Sequence, residues 1–251
     1  MNIPRFAALV SCLPLLAACG GTDVGSTGPL PFAPGPAGYY AGEVISPVTG
    51  LDDSAVALVS GDGETRIVDV VSGSQYLVSL PSAGGHFDAS LTGFAGPTIR
   101  FPNTSPLCHG SVSGDFEPAA EFFGDYACGG DHGTLNLAFD DGVSFNPPDV
   151  AELTGEWQTF IAPTVVLAII VAPDGGFTGS DTDGCAYRGT LAAADPIINL
   201  YAMTLVQTCG STALALTGLA TQTSAPHTGQ FELYYGVSNG AHSLAGLMLL
   251  Q

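Results

Sequence analysis

The chain has 251 residues, 46% of them hydrophobic, and sets 23 carboxylates against four arginines and no lysine, for a formal net charge of −19 at pH 7. That surface repels phosphates, which excludes a nucleic-acid binder and a docker of anionic lipid headgroups, while it attracts cationic proteins or polymers and divalent ions. The missing lysine excludes a Schiff base, a Ser–Lys dyad and a P-loop, and the apolar content excludes a disordered chain.

The first element is an export signal. Arg5 gives a short positive region and Phe6 to Leu16 an apolar one, ending in Leu16-Ala17-Ala18-Cys19. This ending resembles the lipobox of bacterial lipoproteins. The resemblance implies diacylglycerol on the Cys19 thiol, cleavage before Cys19 and acylation of the new amine. Residues 1–18 are then a signal peptide, and the mature chain holds a membrane through the Cys19 lipid. An ordinary cleaved signal, with Ala17 and Ala18 as its small residues, is the alternative. Gly20 after Cys19 resembles the sorting pattern for the bacterial outer membrane. No later run approaches the ~18 apolar residues of a membrane helix. Residues 19–38 join the lipid to the body as a tether of Gly, Pro, Ser and Thr, partly stiff where proline accumulates.

From Tyr39 the chain predicts strands and turns. Phe87, Ala89 and Leu91 alternate with Asp88 and Ser90, Leu135 and Leu137 with Asn136, and Phe231, Leu233 and Tyr235 with Glu232 and Tyr234. Period two with one wet face marks antiparallel sheet. Turns punctuate it at Gly61-Asp62-Gly63, Ser72-Gly73-Ser74, Asp141-Gly142, Asp174-Gly175-Gly176 and Asn239-Gly240. The first set of strands is predicted at 39–45, 55–60, 65–71, 75–80, 86–94, 108–116, 121–128 and 133–140. The second falls at 156–162, 165–172, 176–180, 185–192, 200–209, 213–221, 230–236 and 242–250. The continuous apolar run Val165–Ala172 predicts a strand buried on both faces. Pro147-Pro148 cannot donate to a central ladder and divides the body into domains at 39–146 and 147–251.

Sequential short strands with tight turns predict an all-β protein of two tandem antiparallel meander barrels, about eight strands each, since closure removes exposed edges. Both halves open alike, at Gly38-Tyr39-Tyr40 and Gly155-Glu156-Trp157. The second opening resembles the G-x-W of lipocalin-like barrels, whose aromatic ring plugs one end. The last strand lacks the arginine that lipocalins bring to that ring. The tandem layout resembles two-barrel bacterial surface lipoproteins such as the transferrin-binding and factor-H-binding groups. The likeness is architectural and carries no binding residue across.

Cys12 leaves with the signal and Cys19 takes the lipid, so Cys108, Cys128, Cys185 and Cys209 remain, with three possible connectivities. In Cys108–Cys128 and Cys185–Cys209 the first cysteine starts a predicted strand and the second ends the next. A hairpin would bring each pair together at its open end. Export permits oxidation, whereas a four-Cys zinc site lacks C-x-x-C pairs.

Catalytic patterns are sparse. Gly236-Val237-Ser238-Asn239-Gly240 matches a nucleophile elbow, but that motif needs a strand-to-helix turn and an acid downstream, and only His242 follows. His86, His109, His132, His227 and His242 show no paired metal spacing, although His109 and His132 each lie near a predicted disulfide end. Asp181 and Asp183 beside Gly184 are the best calcium candidates, though Asp-Gly is first a hairpin signal. No metal site, no cofactor and no catalytic residue is assigned. The expectation is a non-catalytic binding module at the cell envelope or surface. The alternatives are a structural envelope lipoprotein without a specific ligand and a lipocalin-like small-molecule carrier.

Overall fold

The computed structural model describes residues 35–46, 51–94, 96, 108–162, 164–225 and 228–251, without the side chains of 51–53 and 162. Residues 1–34, where the sequence predicts the signal peptide, the Cys19 lipid site and most of the tether, lie outside the described residues, as do Arg100 and His227.

The first eight strands are β1 Gly38–Ser46, β2 Leu51–Val59, β3 Glu64–Asp69, β4 Gln75–Ser79, β5 Gly85–Phe94, β6 Cys108–Glu117, β7 Glu121–Cys128 and β8 Asp131–Phe139. The second eight are β9 Gly155–Ala162, β10 Val165–Val171, β11 Gly176–Asp181, β12 Ala186–Ala193, β13 Tyr201–Cys209, β14 Thr212–Ser224, β15 Phe231–Ser238 and β16 Ser243–Leu250. Within each set every strand pairs antiparallel with the next, and β1 with β8 and β16 with β9 close two barrels. Pro147 and Pro148 fall in the connection between them. β2 begins at Leu51 rather than Ala55 because its acidic start pairs with Val44, Ile45 and Ser46 of β1.

Alternation fills both barrels. Tyr40, Ile67, Leu91, Phe116 and Phe122 occupy the first interior, and Trp157, Leu167, Ile169, Tyr187 and Tyr201 the second, all at most 3% exposed. The similar openings have the same job. Trp157 Nε1 donates to Leu153 O at 2.7 Å and Tyr40 OH donates to Pro36 O at 3.2 Å, in each case four residues back. Each aromatic thus ties the segment before its barrel across the barrel end. The glycine two residues earlier takes φ 157° in the first barrel and 144° in the second. A Cβ on Gly155 would lie 2.7 Å from Leu250 Cδ1.

Two corrections concern faces. The run Val165–Ala172 is not buried on both sides. Leu167, Ile169 and Val171 point inward, but Ile170 is 62% exposed, because among the described residues no layer covers it on the outside of β10. Phe231, assigned to the inward face, lies at the very start of β15 and is 43% exposed.

The barrels pack through the outer faces of β2 and β3 against β14, β15 and β16. Val56, Leu58 and Val68 of the first barrel meet Leu219 and Ala245 of the second, with Ile198 and Leu200 from the segment before β13. Gly236 allows the closest approach: a Cβ there would lie 2.9 Å from Gln75 Nε2 and 3.2 Å from Val68 Cγ2. Ser243 Oγ donates to Gln75 Oε1 at 2.7 Å across the same interface. A short helix, α1 Asp141–Ser144, adds a polar bridge. Asp140 caps it by accepting from Val143 N at 2.9 Å. Ser144 Oγ accepts from Tyr39 N at 2.9 Å, and Ser144 O accepts from Asn199 N of the second barrel at 2.9 Å.

Both disulfides form as the hairpins predict. Cys108–Cys128 has a Cα–Cα distance of 5.3 Å and Cys185–Cys209 one of 4.4 Å. They sit at different places in the two barrels, one across β6 and β7, the other across the turn before β12 and the end of β13. Sequence separations of 20 and 24 correspond to roughly 3 kcal/mol each in the chain-entropy account.

Candidate binding cleft

The outer wall of the second barrel carries an apolar phase where a solvated strand would be polar. On β9 the outward positions run Glu156, Gln158 and Phe160, and on β10 they run Val166, Ala168 and Ile170. Phe160 pairs in register with Val166 and is 72% exposed. Beside them, β16 presents Ala245, Leu247 and Leu249 outward, and the turn after β3 brings Val71, 73% exposed, from the first barrel. Asp69 fixes that turn: its Oδ1 accepts from Val71 N at 2.9 Å and Ser72 N at 3.0 Å. Val71, Phe160, Val166 and the outward residues of β16 line a cleft of about 750 Å³ between the barrels, whereas Glu156, Ala168 and Ile170 do not border it.

The cleft exists because the seam of the second barrel opens. β9 pairs with β10 along its whole length but registers with β16 only at Trp157–Leu250 and Gln158–Leu249. The corresponding seam of the first barrel registers from Tyr40–Phe139 through Ile45–Thr134. A register shift between Val165 and Val166 bends the β9–β10 hairpin at the same end. Thr159 and Gly246, one on each side of the gap, both line the cleft.

No Asp, Glu or Arg side chain is among the described residues that line the cleft. Among the described residues the only arginines are Arg66 and Arg188. Arg66 is buried and paired with Glu64, and Arg188 lies on β12, on the far wall of the second barrel.

The sequence-predicted candidates are placed elsewhere. Asp181 organises the turn that ends at the second disulfide. Its Oδ1 accepts from Asp183 N at 3.0 Å and Cys185 N at 2.9 Å, and its Oδ2 from Tyr187 OH at 2.7 Å. Three donors thus already engage the carboxylate proposed for calcium. Burial and the nearby Asp181 charge push the Tyr187 hydroxyl far above its ordinary value. His109 reaches Thr92 on β5 at 3.4 Å, while His132 stands on β8, on the opposite side of β7, so the two histidines are not brought together. His86 contacts Asp115 at 3.2 Å on an exposed face. Among the described residues no group of three or more His, Cys, Asp or Glu side chains could hold a metal ion. Ser238 ends β15 in a hairpin turn, where its Oγ accepts from Gly240 N at 2.9 Å. Asn239 Oδ1 accepts from Ala241 N and His242 N, so the segment is a strand-turn-strand and not a nucleophile elbow.

The chain matches no protein-family model, no curated protein and no solved structure.

The cleft itself escaped the sequence reading. Its signal was present in Phe160, an aromatic at a polar-phase position of β9, and in Val166, an apolar residue in the outward phase of β10. The run Val165–Ala172 was assigned to burial, whereas its outer face is exposed.

Proposed function

We infer that the chain is an exported lipoprotein, held at the cell envelope through Cys19, whose two-barrel body binds a partner and performs no chemistry. The observation that carries this reading is the contrast between filled interiors and an apolar outer cleft. A carrier needs an internal cavity, and here Trp157, Tyr187, Tyr201 and Tyr235 occupy the space a ligand would need in the second barrel. An exposed apolar cleft rimmed by polar residues is the usual mark of a protein interaction site. Two disulfides suit an oxidising compartment outside the cytoplasm. The lipobox residues Leu16-Ala17-Ala18-Cys19 support the anchor, and Gly20 supports the outer membrane as its address.

The test is crosslinking in intact cells followed by identification of what is joined to the body. A reproducible partner, lost when Phe160 and Val71 are replaced by serine, is expected. Reproducible turnover in a broad hydrolase screen, abolished by changing Ser238, His109 or His132, would overturn the non-catalytic reading. For the anchor, Cys19→Ala should leave an uncleaved or unlipidated chain. A variant that gains the wild-type mass and still enters detergent removes the lipobox.

A further inference from the structure

We propose that the mouth of the second barrel is a saccharide site, in which Gln222, Asp140, Glu152 and Phe231 hold one neutral sugar ring. It goes beyond the cleft, with which it shares no residue. The pocket has a volume of about 330 Å³, at the small end of the range for small-molecule sites, and barrel mouths are a common place for them. Gln222 and Ser224 stand at the end of β14, Phe231 starts β15, and Asn199 lies in the segment before β13. The connection between the barrels supplies Asp140 at the start of α1 and Glu152 on the single 3-10 turn Val150–Leu153. These walls are fixed before a ligand arrives. Asp140 Oδ1 accepts from Val143 N, Asn199 Nδ2 donates to Gln222 O at 2.7 Å, and Asp149 Oδ1 holds the 3-10 turn by accepting from Ala151 N at 2.8 Å.

Gln222 points to a ligand. It is 7% exposed, and its Nε2 has no hydrogen-bond partner among the described residues. A buried amide left unpaired is costly. The last torsion of a glutamine is broad and soft, so a small rotation turns that N–H toward a ligand oxygen in the pocket. Acceptors share the lining: Asp140 Oδ2 and the Glu152 carboxylate make no hydrogen bond among the described residues. Ser224 adds a hydroxyl, and Phe231 is 43% exposed. The molecule that fits must accept from an amide, donate to carboxylates and cover an aromatic face. A sugar ring does all three, because each hydroxyl both donates and accepts while the C–H face of the ring is apolar. Two carboxylates, with no arginine in the lining, repel an anion. A bare cation would meet the carboxylates but leave the Gln222 donor unanswered.

The experiment uses the full chain in micelles of a detergent without a sugar headgroup, and reads saturation-transfer NMR of added ligands. The probes are maltose, cellobiose and N,N′-diacetylchitobiose, with glucuronate as the anion and putrescine as the cation. At least one neutral disaccharide should bind with a Kd near ~1 mM, which the roughly 12 heavy atoms of one ring reach at ordinary ligand efficiency. Glucuronate and putrescine should bind at least about tenfold more weakly. Gln222→Leu deletes the amide at similar volume. It should weaken sugar binding about tenfold while the urea midpoint holds or rises, because an unpaired buried amide is gone. Phe231→Ser changes a half-exposed ring at a strand start and should also weaken binding about tenfold. If Gln222→Leu lowers the midpoint, Phe231→Ser decides. Phe160→Ser, in the cleft, should leave sugar binding unchanged. No neutral disaccharide bound at ~20 mM, equal binding of glucuronate or putrescine, or sugar binding left intact by Gln222→Leu or Phe231→Ser overturns the proposal. The two readings fail separately. A body that binds sugar but crosslinks to no protein in cells ends the cleft reading alone, and a crosslinked partner without sugar binding ends this one alone.

Discussion

Raising the pH should unfold this protein near pH 11 through its tyrosines. Seven of them have hydroxyl pKa values raised above the ordinary 10 by burial: Tyr39, Tyr40, Tyr126, Tyr187, Tyr201, Tyr234 and Tyr235. Tyr40 and Tyr201 are pushed up to about 12, and Tyr187 and Tyr235 higher still, the last by burial alone. A folded-state pKa above the unfolded one means that the stability is fully present below pH 10 and lost as pH climbs toward the folded value, because the unfolded chain releases its proton first. At pH 11 each such tyrosine has lost about 1.4 kcal/mol. Taking only Tyr40, Tyr187, Tyr201 and Tyr235, all at most 2% exposed, the loss is about 5 to 6 kcal/mol, comparable with the ~5–15 kcal/mol net stability of a domain. The chain has no lysine, and its described cysteines are in disulfides, so few other groups titrate in this window. The assay is tyrosinate absorbance and far-UV circular dichroism followed together against pH. A cooperative rise in tyrosinate coinciding with loss of strand signal is expected. Smooth ionisation of all the tyrosines around pH 10 with the strand signal intact would refute the buried-hydroxyl account.

Trp157→Phe keeps an aromatic ring but leaves Leu153 O without its donor, and should cost about 1–3 kcal/mol in urea unfolding; Trp157→Ala should cost about 3–5. Replacing Cys185 and Cys209 together by serine should lower stability by about 3 kcal/mol, read from the urea midpoint with the other disulfide intact. Gly236→Leu wedges a side chain against Gln75 and Val68, and should destabilise the chain by about 1–3 kcal/mol and widen the molecule in solution scattering. Unchanged scattering with unchanged stability would mean that the barrels do not meet at Gly236.

Much of the architecture was legible in the sequence because local physics wrote it there. Alternation at Phe87–Leu91 and Leu135–Leu137 names the inward face, and glycine and aspartate turns name the strand ends, so sixteen strands fall close to their predicted places. The cysteine pairs were legible for the same reason: a strand start and the next strand's end must meet if the turn between them is tight. What lies outside each barrel was not legible. Period two separates the faces of a strand but does not say what covers the outer one. Gln75, polar and in the outward phase, is buried against Ser243, while Ile170 and Phe160, apolar in that phase, stand in solvent. Those outcomes depend on which barrel walls meet, and that is decided by close approach at Gly236 and by the outward Val56, Leu58 and Val68, residues distant in sequence from their partners. The open seam is likewise tertiary. β9 and β16 are the first and last strands of their barrel, so no turn fixes their register. Only closure of the whole sheet determines how far they pair before they part.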